Sequence, residues 1–376
     1  MYQNMSVNSM EQMTVPINLH PNNQGSTKYT RLFALDIIKC WAVLLMFVSH
    51  VLIIYGTTWL ESSPFFAVVA FIIESVCAPV FVFAMGLSIA LSKAKTPKQI
   101  LTRSVILFVQ GYVLNVLKFF FPIKVFNSFP PELFVLLEQA NSHEGLFNIL
   151  LMGDILQFAA IAYAIVGILR YYSKHYYYIA FVLILVCLII SPLLYDCVAP
   201  NQYYFLGLLY GRAPLMFFPL LPWIIFPLLG LLVGHYITQK MDVLSKAMIR
   251  LFVIGIVVLV FGWVLLQINP LESEMDYYHR GTAGLLLFSG MTLAWTAFAY
   301  FITPLVPNVV KKGILFFSDH VTSIYFIQWI LIYWGVGIIG FKNQNAIGYL
   351  VCLLGFMLST SLLIKVWEYS KMKLLN

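Results

Sequence analysis

Ten long apolar runs leave this chain few folds to choose from. They fall at 34–55, 66–92, 100–121, 148–170, 176–195, 213–237, 247–267, 282–303, 314–338 and 345–368. A helix needs about 20 apolar residues to cross the hydrocarbon core of a bilayer. Inside that core every backbone N–H and C=O must find an internal partner, which only helices and closed barrels provide. A barrel would show alternating segments of about ten residues, and these runs are longer and do not alternate. The reading is an all-α polytopic transmembrane bundle of about ten spans. Composition agrees, with 61% hydrophobic and 10% charged residues, where a soluble domain carries about 25% charged.

Charge orients the bundle. With the N-terminus in the cytosol, Lys118, Lys124, Arg212, Arg280 and Lys342 fall on the outer side and the rest of the 22 Lys and Arg fall inside. That bias follows the positive-inside rule and puts both termini in the cytosol. It also accounts for most of the +7 net charge, so a nucleic-acid partner is not expected. The polar segment 1–29 reads as a flexible cytosolic tail without a signal peptide. Residues 30–371 read as one transmembrane domain, and 372–376 as its cytosolic end. Cys40, Cys77, Cys187, Cys197 and Cys352 are scattered and form no Cys-x-x-Cys pair, so neither a disulfide framework nor a metal site is expected.

Two outer segments interrupt the apolar pattern. Residues 122–147 are too broken to span, and an interfacial helix is expected after Pro130 and Pro131. Residues 268–281 hold Glu272, Glu274, Asp276, His279 and Arg280, either as a solvated loop or as a contact for a polar acceptor.

Ionisable residues within the spans are the functional candidates, because each costs about 2.5–3.5 kcal/mol on insertion scales. They are Asp36, Lys39, His50, Glu74, Arg103, Lys118, Asp154 and His235, with Asn115, Gln157 and Gln328 as uncharged companions. Lys39 and His50 are separated by about 1100° of helical turn, so they share a face about 16 Å apart along the axis. Asp36 falls about 40° from His50 on the same broad face. One polar stripe thus runs from an inner basic site to an outer histidine. Glu74 enters at a depth that His50 can share, and a carboxylate beside an imidazole orients it and raises its basicity. Asp154 and Gln157 share a face at i, i+3, for acceptor binding, orientation or helix–helix contact. Arg31, Lys39, Lys98 and Arg103, with Lys93 and Lys95, gather at the cytosolic side, where phosphates of a cofactor would meet them.

Several stretches carry a resemblance. "RLFALDIIKCWAVLLMFVSH" (31–50) places a basic residue three after an aspartate and a histidine 11 beyond it. "APVFVFAMGLSIALS" (78–92), "GDILQFAAIAYAIVGIL" (153–169), "FFPLLPWIIFPLLGLLVG" (217–234) and, more weakly, "SIYFIQW" (323–329) follow in order. Together they resemble the heparan-α-glucosaminide N-acetyltransferase catalytic family, related in turn to the acyltransferase 3 group. Two positions depart from the pattern: Lys39 stands where arginine is usual, and Cys40 where glycine is common. The loop 51–65 also lacks the histidine that the heparan-type enzyme carries there. His50 then takes that role, or catalysis is altered or absent.

The resemblance implies acyl transfer from cytosolic acyl-CoA, with acetyl-CoA first, to a hydroxyl or amine on the outer side of a plasma (inner) membrane. His50, oriented by Glu74, would act as base or accept the acyl group. Gln157, Asn115 or Arg103 would stabilise the oxyanion, and Asp36, Asp154 and Gln328 would orient substrate. No metal is expected. The expected partners are the lipid bilayer and a glycan or other small acceptor, and a homo-oligomer is left open. The competing reading is a transporter or flippase, which would also place polar residues at a cavity but favours paired broken helices in inverted repeats. Pro-rich 214–227 has no counterpart in the other half.

Overall fold

The structure is a computed structural model that describes residues 31–195, 204–269, 272 and 275–375. The tail at 1–29, Cys197 and Glu274 lie outside the described residues. Among the described residues ten helices are long and apolar enough to cross a membrane, which makes the chain an integral multi-pass membrane protein. They are α1 (Phe33–Tyr55), α2 (Pro64–Leu91), α3 (Pro97–Val125), α4 (Ile155–Tyr172), α5 (Tyr176–Leu194), α6 (Leu220–Gln239), α7 (Met241–Ile268), α8 (Thr282–Leu305), α9 (Val321–Ile339) and α10 (Ala346–Lys373).

Local chemistry explains several boundaries. Thr96 caps α3 and exchanges hydrogen bonds with Gln99 in a capping box, with Pro97 in the first turn. Pro64 and the Ser63 cap start α2 in the same manner. The short helix Pro131–Leu136 begins at the expected proline pair.

Packing explains the glycines and prolines of two motifs. A Cβ on Gly86 of α2 would collide with the Pro227 carbonyl of α6, and one on Gly230 of α6 with the Phe83 carbonyl of α2. Lipid gives no hydrophobic drive between helices, so small residues that let backbones approach carry the association. The stretches 78–92 and 217–234 therefore pack against each other and build the core through Phe83, Leu87, Phe226 and Leu231.

Three spans begin later than apolar continuity suggested. The fourth starts at Ile155, the sixth at Leu220 and the ninth at Val321, where 148, 213 and 314 were expected. The ninth is preceded by a separate helix, Asn308–Asp319. The other two segments leave the helix to meet each other. Gly153 N–H donates to Leu215 O at 2.8 Å, and Phe217 N–H donates to Gly153 O at 2.9 Å. Non-helical backbone at membrane depth is tolerated where protein satisfies it, and here each segment satisfies the other.

The two ends of the bundle are fixed by ion pairs. Arg31 before α1 reaches Asp319 before α9, and His320 reaches Glu368 near the end of α10. The first described residues and the end of the last span therefore share one end, called here the Arg31 end. At the opposite end Lys342 pairs with Glu61, and the N–H groups of Lys342 and Gln344 donate to Ile54 O and Tyr55 O at the close of α1.

Candidate active site

Polar groups on α1 divide into two clusters, one at each end of its stripe. At the Arg31 end, the Arg31 guanidinium donates to both oxygens of Asp36 at 2.7 Å and to Asp319 at 2.7 Å. The Asp36 contact holds Arg31 above its ordinary pKa. Ser318 Oγ donates to Asp36 Oδ1 at 2.6 Å, so the Asp36 carboxylate accepts three hydrogen bonds. Asp36 and Arg31, expected at substrate and at cofactor phosphates, are placed instead as a clasp between α1 and the segment before α9. Half-buried Lys39 feels the charges of Asp36, Arg31, Asp319 and Arg103.

The remaining basic candidates split. Lys95 Nζ donates to Tyr163 Oη at 3.0 Å, and Arg103 lies 5.7 Å over the same ring. Arg170, at the end of α4, donates to Ser92 O. Lys95 and Arg103 thus stand around one aromatic side chain, and Arg170 lines the same cleft as Tyr163. Lys98 lies elsewhere, with Leu101, Thr102, Val105 and Ile106 on another face of α3, about 140° of helical turn from Arg103.

At the other end of the stripe stands His50. Its ring stacks on Trp329 at 3.8 Å between centroids and meets Tyr325 edge-on at 6.2 Å. Gln328 Nε2 lies 3.2 Å from His50 Nδ1. Gln328 is fully buried, and its Oε1 has no hydrogen-bond partner among the described residues. All three partners come from α9, at i, i+3 and i+4, the spacing that presents one helix face.

Glu74 is not brought to His50. Its carboxylate accepts from Arg280 Nη2 at 2.9 Å, and its backbone oxygen accepts from Tyr277 Oη. The expected His50–Glu74 pair is therefore corrected to His50–Gln328, and Glu74 becomes an anchor for the connection before α8. In that connection His279 is buried rather than solvated. Its Nδ1 lies 3.2 Å from Asp276 Oδ2, and its Nε2 reaches Gly211 O. Burial works against the charged Asp276, but the His279 bond and the Tyr278 N–H outweigh it and hold the acid below its ordinary 3.8.

A second ion pair lies beside His50. Lys118 Nζ is 3.5 Å from Asp154 Oδ2. Asp154 Oδ2 also accepts from Tyr325 Oη at 2.9 Å, and Asp154 Oδ1 accepts from Ile155 N–H at 2.7 Å. Asp154 is thus the N-cap of α4 rather than a residue on its face, and Gln157 completes a capping box with it. Lys118 is 5% exposed and sits over the rings of Phe119 at 4.5 Å, Trp329 at 4.9 Å and Tyr333 at 5.6 Å. Trp329 therefore touches both the ammonium and the imidazole. The backbone here is a π-helix, Val116–Val125, a form that recurs at functional sites. Its Leu117 carbonyl is taken up by the Trp334 indole N–H at 2.8 Å.

Asn115 and Gln157 hold the turn that enters α4. Asn115 Nδ2 donates to Leu150 O and Met152 O, while Gln157 accepts from Asp154 N–H and donates to Met152 O. Both Asn115 amide hydrogens and one of the two on Gln157 are engaged there, Arg103 stands at Tyr163, and none of the three expected oxyanion donors bonds His50 among the described residues. Gly111 of α3 makes room for the Gln157 amide, which a Cβ would meet at 2.6 Å. His235, the remaining intramembrane histidine, bonds Tyr176 Oη and stacks on Tyr177. Among the described residues no group of three or more His, Cys, Asp or Glu is placed to hold a metal ion.

No curated protein matches the chain. The family described as heparan-alpha-glucosaminide N-acetyltransferase, catalytic, matches residues 31–268, which takes in α1 to α7 with His50, Lys118 and Asp154 but not Gln328 or Trp329. That match covers more than half of the 376 residues, and the chain belongs to this family of membrane acetyltransferases.

Proposed function

We propose that this protein moves an acetyl group from cytosolic acetyl-CoA to a hydroxyl or amine of a sugar-like acceptor on the outer side of the plasma (inner) membrane, with His50 taking the acceptor's proton. Family membership implies acetyl-CoA as donor. The observation that carries the role of His50 is its contact with a buried amide that has a spare carbonyl. An amide can offer either its oxygen or its NH2 to a ring nitrogen. With Gln328 Oε1 turned to Nδ1–H, the Nε2 lone pair is left to accept a proton. The α9 face, rather than a carboxylate, then sets the tautomer.

Lys39, Lys95 and Arg103 at the Arg31 end would meet the phosphates of the donor, since that end carries the basic excess that marks the cytosol. The acceptor O–H or N–H attacks the thioester carbonyl carbon and gives its proton to His50 Nε2. Collapse of the tetrahedral intermediate breaks the C–S bond, and the proton passes to the CoA sulfur. Aromatic faces near His50, from Trp329, Tyr325 and Tyr333, suit a sugar ring.

His50→Ala in isolated membranes with labelled acetyl-CoA is the test. A positioned general base contributes about 10²–10⁴-fold, so transfer is expected to fall by that factor with the protein still inserted. Turnover equal to that of the unaltered protein would sink the assignment.

A further inference from the structure

We infer that Lys118 is a catalytic residue whose ammonium stabilises the oxyanion formed during acyl transfer at His50. The inference rests on the acyl-transfer reading above. Attack on a thioester moves the carbonyl π electrons onto oxygen, and that charge needs a donor or cation held ready in a water-poor site. Asn115 gives both amide hydrogens to Leu150 O and Met152 O, Gln157 gives one of its two to Met152 O, and Arg103 stands at Tyr163. Lys118 is not fully committed. An ammonium has three N–H donors, and its hydrogen-bonded partner, Asp154, is 3.5 Å away. A well-made ammonium–carboxylate bond is about 2.7–2.9 Å. Asp154 is meanwhile held closely by Ile155 N–H and Tyr325 Oη. It neutralises the lysine at rest without saturating its donors.

The surroundings fit the same role. Phe119, Trp329 and Tyr333 form a ring of π faces around the ammonium, which steadies a cation while excluding water. Trp329 passes from that cage to the His50 ring, and Lys118 and Asp154 are the charges that act on His50. Base and cation thus share one indole, Trp329. In the reaction the acceptor's proton goes to His50 Nε2 and the carbonyl electrons go to the oxygen beside Lys118. They return when the C–S bond breaks and CoA leaves as the thiol.

The alternative is that Lys118 serves only as counter-ion to Asp154. The full chain, purified into lipid nanodiscs, separates the two. Acetyl-CoA cleavage is followed as released CoA thiol, and acetyl-CoA affinity is measured on the same samples. Lys118→Met leaves a buried carboxylate unpaired and is prone to misfold. The double variant Lys118→Met/Asp154→Asn removes both charges, and asparagine still caps α4 and still accepts from Tyr325. The double variant is expected to fold and bind acetyl-CoA normally, with kcat lower by about 10²–10³-fold, and Lys118→Arg is expected to recover part of that loss. Normal kcat in the double variant, with His50→Ala inactive, would overturn the role of Lys118 and leave the acyl-transfer reading standing. Normal cleavage by His50→Ala would sink the role of His50. No cleavage and no acetyl-CoA binding by the unaltered protein would overturn both proposals.

Discussion

Two ion pairs, both joining an aspartate to a cation from elsewhere in the chain, behave in opposite ways. At the Arg31 end, Arg31, itself 53% exposed, grips the buried Asp36 (5% exposed) with two bonds of 2.7 Å. Beside His50, Lys118 and Asp154 stand 3.5 Å apart although their side chains are only 6% and 14% exposed. If stability alone set the geometry, the tighter contact would be the drier one, because an unsatisfied charge is costliest away from water. The drier of the two cations is instead the loosely held one, which makes Arg31 a fastener and leaves Lys118 with donors to spare. A clasp can use up every donor and acceptor it has. A site that must meet a charge appearing only in mid-reaction has to hold some back.

That contrast can be broken by substitution. The largest effect on stability is expected at Asp154. Asp154→Ala strands a buried ammonium and removes the α4 cap, at a cost of about 3–5 kcal/mol, whereas Asp154→Asn keeps the cap and loses less. Thermal unfolding in nanodiscs measures both, and equal losses would deny that the α4 cap matters. Arg31→Ala is expected to cost about 1–3 kcal/mol, because Ser318 still donates to the buried Asp36. It should leave kcat within a few fold, so a large drop in turnover would erase the distinction between clasp and site.

Asp276 and His279 give the smallest effect. The folded-state value of Asp276 lies below 3.8, so the unfolded chain takes up the proton first. The stability it adds is complete above about pH 5 and is lost as pH falls through the folded value. Asp276→Asn should flatten that acid loss, by less than about 1 kcal/mol. An unchanged acid limb would remove this pair from the account.

The spans were legible because about 20 apolar residues in a row admit little else in a bilayer. Apolar continuity cannot tell helix from buried irregular backbone, and that is where the reading slipped, at 151–154 and 213–219. Those segments look spanning because they are apolar, and they are not helical because they bond each other. Asp154 and Gln157 carried a local signal that an i, i+3 face reading passed over: aspartate, three residues before glutamine, opening an apolar run is a capping-box pattern. His50 was legible as a residue, but its partner was not. Glu74 matched it in depth, yet Arg280 stood closer to that carboxylate. Gln328 is 278 residues away, and no spacing rule reaches so far. Lys118 was visible as an intramembrane charge, while its cage of Phe119, Trp329 and Tyr333 exists only once α3 and α9 meet.

The remoteness of Gln328 has a consequence for how the protein is made. Chains emerge from the ribosome at roughly 5–20 residues per second, so α1 would wait roughly 15–55 s before α9 exists. During that wait His50 lacks its amide and its indole, Asp36 lacks Ser318, and Arg31 lacks Asp319. The insertion machinery must shelter a helix whose polar face has no lasting partner. A chain stopped anywhere before α9 would be a membrane protein with most of its core and no centre, so quality control that reads exposed polar groups in lipid has one late event to check.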